Sequence, residues 1–461
     1  MALQKLFVAN RGEIAVRIIR AARERGIATV QAVSAADRDM LAAQLADEVA
    51  EVGPAAAKRS YLNQEAVLRA AVASGADAVH PGYGFLAENA AFAEAVERAG
   101  LVFIGPQPQA IRLMGDKARA RRVAAAAGVP TVPGTDDERL DNAALKDAAR
   151  AMGFPVIVKA AAGGGGRGIR VAQNADALDR LLTEARAEAQ AAFGDDMLYL
   201  ERFLPRARHV EVQVLGDGHR CVHLFERECS VQRRRQKIWE EAPAECLSPA
   251  LRAELCASAV RLAESVGYRG AGTMEYLLDE ATGTFFFIEM NTRIQVEHPV
   301  TEMVTGIDIV REMLAIASGE RLHLEQHRIA LRGHAIECRI NAEDPARNFL
   351  PSPGRITDLH VPGGPGVRFD SHLFPGYTVP PFYDSLLGKL IVWDETRGHA
   401  LARIRRALAE TRVEGLATTL PLHRRLAASA DIDRYDVHTG WLESWLAANP
   451  PPILSADTGR P

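Results

Sequence analysis

The chain has 461 residues, 48% of them hydrophobic, and a formal net charge of −4. That length predicts roughly three domains with ample core, and the charge gives no nucleic-acid footprint. Cysteines at 221, 229, 246, 256 and 338 lack CxxC spacing and predict reduced thiols in a cytoplasmic protein, while no run reaches the ~18 apolar residues of a membrane span.

The first third alternates strand and helix signals. Leu6–Val8, Thr29–Val33, Ala78–Val79 and Val102–Ile104 read as strands; Gly12 to about Gly26, 64–74 and 88–99 read as helices. Such alternation predicts an α/β fold with a parallel sheet. His80-Pro-Gly-Tyr-Gly-Phe-Leu86 follows a strand directly, where ligands of such sheets bind. Its glycines read as turn residues; Tyr83 and Glu88 are open to function or structure.

A single helix is predicted from Leu113 to about Ala127, carrying Lys117. Pro130 and Pro133 end it, and residues 134–203 form a compact α/β segment. Within it, Phe154–Lys159 reads as a buried strand ending in a lysine. Gly163-Gly-Gly-Gly-Arg-Gly168 follows, then a further strand, Ile169–Val171. Consecutive glycines let backbone N–H groups turn around an anion. No Lys-Ser or Lys-Thr closes the loop and no helix follows it, so neither the Walker nor the Rossmann pattern applies. Leu198–Leu204 reads as a strand and hinge, offering adenine a backbone donor and acceptor between apolar walls.

Arg208–Val214 alternates strictly and puts His209, Glu211 and Gln213 on one face. His219, Cys221 and His223 also alternate; with no fourth ligand nearby, a strand face is the better reading than zinc. The charge run Glu226–Lys237 interrupts a strand-like stretch, which favours a phosphate-facing role over a solvated face, Gln232 and Arg235 included. Arg235 and Lys237 are expected to point the same way along a strand.

Thr273–Leu278 and Phe285–Asn291 predict a hairpin with its turn at Asp279–Thr284. In register, Glu275 and Glu289 lie opposite each other. Like charges so placed destabilise the pair unless a divalent cation sits between them. Asn291 adds a neutral oxygen, and Arg293, Gln295 and Glu297 are expected to continue the same period-2 face. Beyond about residue 330 short strands alternate with Pro/Gly turns, predicting a mostly antiparallel domain with helices at 397–410 and 436–447 and a loose tail from 448.

Five segments together resemble biotin carboxylase: Ala9-Asn-Arg-Gly-Glu-Ile-Ala15, His80–Leu86, Gly163–Gly168, Arg233-Arg-Arg-Gln-Lys237 and Glu289-Met-Asn-Thr-Arg-Ile-Gln-Val-Glu-His298. The resemblance runs from about residue 3 to 446 and is most specific in 289–298. It implies an ATP-grasp fold, α+β overall. Its parts are a Rossmann-like domain over 1–113, an ATP-grasp domain over 114–330 with a lid at about 134–203, a mixed or antiparallel domain over 331–447, and a flexible tail over 448–461. It also implies phosphorylation of bicarbonate by ATP to carboxyphosphate, with Mg²⁺ or Mn²⁺, and carboxylation of N1′ of biotin.

By resemblance, Lys117, Lys159 and His209 hold phosphates under the loop of Gly164, Gly165, Gly166 and Arg167. Glu201, Arg202, Phe203 and Leu204 hold adenine, and Glu275, Glu289 and Asn291 bind the metal. Lys237, Arg293, Gln295 and the backbone of Val296 hold bicarbonate, Glu297 is the base, and Arg339 stabilises the biotin enolate, with Tyr83 and Asp384 near the biotin pocket. Glu297, beside Arg293 and Lys237, is expected to stay ionised.

Ala162 stands where many members have glycine, Arg235 where a histidine or small polar residue is usual, and Pro365 where some place a dimer-contact aromatic. No Met-Lys-Met biotinylation motif or carboxyltransferase segment is found. The resemblance thus implies a separate subunit of an acyl-CoA carboxylase such as the acetyl-CoA carboxylase of fatty acid biosynthesis. Its partners would be a biotin carboxyl carrier protein, carboxyltransferase subunits and a second copy in a homodimer. Two alternatives stand beside it. Another ATP-grasp carboxylate–amine ligase shares Lys159 and the metal hairpin but has no use for Gln295-Val-Glu297 and Arg339. A nucleotide-binding regulator would show losses among the lysines or metal ligands, and none is visible.

Overall fold

The computed structural model describes residues 3–135, 140–160 and 170–450. The N-terminal part is a parallel sheet of β1 (Lys5–Val8), β2 (Ala28–Ser34), β3 (Glu48–Gly53), β4 (Ala78–His80) and β5 (Val102–Phe103), in the order β3-β2-β1-β4-β5. Helices α1 (Gly12–Glu24), α2 (Leu41–Leu45), α3 (Gln64–Ala73) and α4 (Ala90–Arg98) link these strands. Leu6 and Val8 look into one buried cluster and Phe7 into another, so β1 is covered on both faces, as parallel strands are.

The single helix expected over 113–127 is two helices, α5 (Pro108–Gly115) and α6 (Lys117–Ala126). Asp116 between them is extended, and its carboxylate caps α6 by accepting the Arg119 N–H at 3.0 Å. A glycine followed by a good N-cap residue ends one helix and starts the next. Lys117 thereby becomes the first helical residue of α6. Beyond it, α7 (Asn142–Met152) and α8 (Ala175–Phe193) pack on a small antiparallel sheet of β6 (Val156–Ala160), β7 (Arg170–Ala172) and β8 (Leu198–Arg202), in the order β7-β6-β8. Ala162, Gly164, Gly165, Gly166 and Arg167 lie outside the described residues.

The rest is organised by one eight-stranded sheet. Its strands in chain order are β9 (Ala207–Asp217), β10 (Cys221–Arg233), β11 (Gln236–Ala242), β12 (Arg269–Asp279), β13 (Thr284–Asn291), β14 (His334–Asn341), then Val367–Ser371 and Leu386–Asp394. The spatial order is β13-β12-β9-β10-β11-β14, then Leu386–Asp394, then Val367–Ser371. Strands from both sides of residue 330 therefore share one sheet. Helix α9 (Pro249–Ser265) packs on β9 and β10, α10 (His298–Thr305) on β10, β11 and β14, and α11 (Ile309–Ala317) on β12. The helices expected near the C-terminus are Arg397–Glu410 and Trp441–Ala448. Among the described residues no helix is long and apolar enough to cross a membrane.

Two expectations for the charged segments need correction. Residues 293–297 are not strand: β13 ends at Asn291 and the chain runs irregularly into α10, with Pro299 in the first turn. Arg235 is not in a strand beside Lys237 either. Arg233 pairs with Gln236, and Arg234 and Arg235 form the tight turn between them, both left-handed at φ 48° and 65°. A two-residue hairpin turn of this hand demands positive φ at both positions.

Gly216, in β9, has space for no side chain, since a Cβ there would lie 2.3 Å from the carbonyl oxygen of Tyr268. Gly216→Ala is expected to cost ~1–3 kcal/mol by overpacking, read as a lower urea midpoint without loss of the sheet's circular-dichroism signal.

Candidate active site

The carboxylates expected to face each other do so. Glu275 pairs directly with Glu289 and Thr273 with Asn291. At the turn end, Asp279 pairs with Thr284 and Tyr276 with Phe287, which would leave Glu275 opposite Ile288. A bulge at Ile288 advances the register by one residue and brings Glu289 round. The aromatic residues behind it, Tyr276, Phe285 and Phe287, pack edge to face and hold the hairpin down.

A second bulge acts on β11. Trp239 pairs with Val231 and Lys237 with Gln232, so Ile238 has no partner of its own. Lys237 is thereby turned to the sheet face that also carries Glu240. It donates to Glu275 at 2.9 Å, to Glu297 at 2.6 Å and to Glu211. Burial disfavours the Lys237 ammonium, but the three carboxylates reverse that and hold its pKa well above the ordinary value. Burial likewise pushes the Glu275 and Glu297 carboxyls up, and their cations win. Lys237 and His209 hold Glu275 well below the usual carboxylate range; Lys237, Arg339 and Arg227 do the same for Glu297. The expected ionised state of Glu297 follows.

Most of the expected site residues that are described line one cavity of about 530 Å³. Around it stand the hairpin residues Glu275, Glu289 and Asn291, the segment Arg293, Gln295 and Val296, and His209, Arg235, Lys237, Arg339, Tyr83 and Asp384. Glu297 is fully buried at the cavity's edge, where Lys237 and Arg339, the latter at 2.9 Å, grip its two oxygens. Arg293 donates to Asn291 and Gln295 within the cavity and is anchored from behind by Glu88 at 2.8 Å. Arg235 reaches the cavity from the hairpin turn and remains exposed.

Four groups lie elsewhere. Lys117 reaches the hairpin through Glu289 at 3.2 Å. Lys159 forms a separate cluster in which it and Arg121 both bind the Glu201 carboxylate. Burial pushes the Lys159 pKa down, with Glu201 opposing and Lys117 and Arg121 adding to the fall. The Arg202 and Phe203 N–H groups are taken by the carbonyls of Pro133 and Pro155, and Leu204 is buried beside them. Gln232 is buried behind His209, bonded to its Nδ1 at 2.8 Å, so it orients that ring instead of meeting a ligand.

Several residues escaped the sequence reading. Arg227, fully buried in β10, donates to Glu211, Gln213, Thr273 and Thr301 and so ties β9, β12 and α10 beneath the cavity. Glu240 holds the Nε of Arg339 at 2.6 Å. Lys389, fully buried, donates to the Val296 carbonyl at 2.8 Å and pairs with Glu13 at 3.1 Å. A lone lysine in the apolar run Leu386–Val392 was the available signal for the last; Arg227 was hidden in the charge run Glu226–Lys237, read as phosphate-facing, and Glu240 lies just beyond that run with no signal of its own.

Two opposed carboxylates and an amide are a hard-oxygen donor set that fits Mg²⁺. Asn291 now turns its Nδ2 to Glu275 and its Oδ1 to Arg293, and a flip of the amide would present the oxygen. Among the described residues the ligating atoms gathered closest are His209, Glu211 and Glu275, and Glu211, Cys229 and Glu297. Both groups include Glu211, whose carboxylate is already satisfied by Arg227 and Lys237, so they are ion-pair knots.

A hairpin of opposed carboxylates in an antiparallel sheet, beside a small antiparallel sheet that carries a lysine, defines an ATP-grasp enzyme. Residues 116–325 match the family described as carbamoyl-phosphate synthase L chain, ATP binding domain. Residues 2–111 match the biotin carboxylase N-terminal domain and 337–444 its C-terminal domain. The chain belongs to the biotin carboxylase family. It is 52% identical to the biotin carboxylase of Haemophilus influenzae, over 97% of this chain and 100% of that one. With that of Pseudomonas aeruginosa it shares 54%, over 96% and 99%. Among solved structures it resembles a Campylobacter jejuni biotin carboxylase–beta-gamma-ATP complex, with TM-score 0.91, 45% identity and coverage of 96% and 99%. It also resembles the biotin carboxylase domain dimer of Hydrogenobacter thermophilus 2-oxoglutarate carboxylase with MgADP and bicarbonate, with TM-score 0.90, 47% identity and coverage of 96% and 98%.

Lys237→Met would leave three buried carboxylates facing one another. The loss at pH 7 is expected to be ~3–5 kcal/mol. In the native protein Glu275 and Glu297 are depressed and contribute stability above the unfolded carboxylate pKa, lost as pH falls. Without Lys237 the folded pKa values rise, so the variant should regain stability relative to wild type as pH falls from about 7 towards 5. Thermal unfolding across that range, with and without Mg²⁺, checks the sign; a deficit that grows on acidification would contradict it.

Proposed function

We propose that this chain carboxylates biotin with bicarbonate at the expense of ATP, through carboxyphosphate, in the cavity between the hairpin and Arg339. The observation that carries the reading is the clamp on Glu297. One oxygen is held by Lys237, which also touches the metal hairpin, and the other by Arg339 at the far end of the cavity. A base held there bridges the phosphate-transfer end and the acceptor end of the site.

Bound Mg²⁺ would offset phosphate charge between Glu275, Glu289 and Asn291. Lys117, Lys159 and His209 hold the phosphates, and an adenine donor from the 201–204 run falls to Leu204, since Arg202 and Phe203 are bonded already. Arg293, Gln295, Lys237 and the Val296 N–H hold bicarbonate, and Glu297 takes its proton as the phosphoryl group transfers. Phosphoryl transfer is mostly positioning plus charge stabilisation, which a cavity rimmed by cations supplies. Arg339 then holds the biotin ureido oxygen as enolate charge develops, with Tyr83 and Asp384 beside it.

The acceptor we propose is biotin on a separate carrier protein, passed on by carboxyltransferase subunits to an acyl-CoA such as acetyl-CoA. End-to-end coverage of curated relatives named for biotin carboxylase supports this. Similar units also occur within larger proteins, since the chain spans 41% of a Rhizobium etli pyruvate carboxylase. A homodimer is supported by the dimeric Hydrogenobacter relative; here Pro365 is exposed in its loop. Five free cysteines, most of them buried, are consistent with a cytoplasmic setting.

ATP cleavage is expected to require Mg²⁺ and bicarbonate and to rise with free biotin. Glu297→Gln should keep ATP binding and lose ~10²–10⁴-fold in turnover. Biotin-independent cleavage driven by an amine acceptor, or a fully active Glu297→Gln, would overturn the reading.

A further inference from the structure

Behind the cavity, β11 and β14 pair antiparallel with Glu240 opposite Glu337, both fully buried. Arg339, two residues beyond Glu337, shares its face of the sheet. Its Nε donates to Glu240 at 2.6 Å and its Nη2 to Glu297 at 2.9 Å, while Nη1 has no hydrogen bond among the described residues. Glu240 Oε2 and both carboxyl oxygens of Glu337 are buried without a partner.

Charge accounting makes this arrangement unusual. Two buried carboxylates directly opposite each other repel, and an unpaired buried carboxylate takes up a proton instead of staying charged. The neighbouring cations are already committed. Arg339 holds Glu240 and Glu297, Lys237 holds Glu211, Glu275 and Glu297, and Lys389, opposite Arg339 on the next strand, holds Glu13 and the Val296 carbonyl. None is left for Glu337. As a neutral acid Glu337 has an O–H to place, and the orphaned oxygen across the strand pair is Glu240 Oε2.

We propose that Glu240 is a positioning residue that aims Arg339 at biotin, and that Glu337 backs it as a buried carboxylic acid sharing its proton with the free oxygen of Glu240. With Nε fixed from one side by Glu240 and Nη2 from the other by Glu297, the guanidinium cannot swing wholly onto the base. Its free Nη1 is left for the ureido oxygen. This deepens the role given to Arg339 above and rests on it.

The local electrostatics agree. Burial pushes the Glu240 carboxyl up to about 7, with Glu297 adding to the rise and Arg339 and Lys237 opposing it. Burial pushes Glu337 well above the usual range, Lys389 and Arg339 opposing and Glu240 and Glu297 reinforcing. The other titratable neighbours, Cys229 on β10 and Cys338 on β14, are thiols that burial keeps neutral. Glu240 is therefore charged above about pH 7 and loses its charged grip on Arg339 below it.

The test compares kcat and KM for free biotin with biotin-free, bicarbonate-dependent ATP cleavage, from about pH 6 to 9. Glu240→Gln is expected to lower kcat/KM for biotin by about tenfold or more at alkaline pH, the scale of a lost charged hydrogen bond, and to lower biotin-free cleavage distinctly less. The wild-type fall in kcat/KM for biotin as pH drops through about 7 should be absent in Glu240→Gln. Glu240→Asp, which retains the charge, should restore that limb in part, and it carries the test should the glutamine variant not fold. Glu337→Gln, neutral and of the same shape, should stay within about twofold of wild type at pH 7. Equal loss of both activities in Glu240→Gln, an unchanged kcat/KM for biotin, or a large loss in Glu337→Gln would overturn the proposal. Arg339→Ala assayed alongside separates the two readings: if it lowers both activities equally, the role of Arg339 itself fails, whereas a defective Arg339→Ala beside a normal Glu240→Gln removes only the role of Glu240.

Discussion

The site depends on one buried ammonium group. Lys237 touches carboxylates from three different parts of the fold, Glu211 of β9, Glu275 of β12 and Glu297 at the start of α10. Each carboxylate would be costly in that position alone. Together they need Lys237, Arg227 and Arg339 to remain ionised, and the network is satisfied only when strands, loop and helix all stand in their final places. The chemistry and the packing of this region are therefore a single constraint. A substrate anion entering the cavity competes for cations already shared, and a metal at the hairpin competes with Lys237 for Glu275.

The two halves of the proposed reaction lie on one sheet. The hairpin proposed to hold the metal, β12–β13, and the strand that bears Arg339, β14, belong to the same eight-stranded array, joined through β9, β10 and β11. The sheet is not uniform. Residue insertions at Ile288 and Ile238 rotate Glu289 and Lys237 onto the working face. Bulges are the economical way to re-aim one side chain without moving the strand that carries it.

Much of this was legible in the sequence, for reasons that also mark the limits. The parallel sheet followed from the alternation of short apolar strands with amphipathic helices. The Glu275–Glu289 pair was found from the midpoint of a hairpin, although the turn-end register alone points to Ile288 and an unseen bulge makes up the difference. Arg293, Gln295 and Glu297 were rightly grouped with the hairpin carboxylates but wrongly given a strand, because Pro299 starts a helix that period-2 counting does not detect. The run Glu226–Lys237 hid most. Arg227 and Glu228 within it, and Glu240 just beyond it, are inside the protein, and buried charges paired across distant strands leave no periodic trace. The tight turn at Arg234 and Arg235 was equally hidden, since nothing in arginine announces positive φ.

The contact between Lys237 and Glu275 carries a further consequence. Their strands are three steps apart in the sheet, β12-β9-β10-β11, which in a flat sheet is roughly 14 Å of backbone separation, a span the two side chains could close only by lying fully extended in the sheet plane, whereas strand side chains stand roughly perpendicular to it. The 2.9 Å contact means that the sheet curls here. The register slips between His223 and Glu226, where Phe225 sits at φ 63°, and again between Glu228 and Gln232. Irregular pairing of this kind bends and twists the strand that carries it. The spacing of the charges around the cavity is thus a property of curvature, and residues in β10 that do not line it govern how far apart those groups stand.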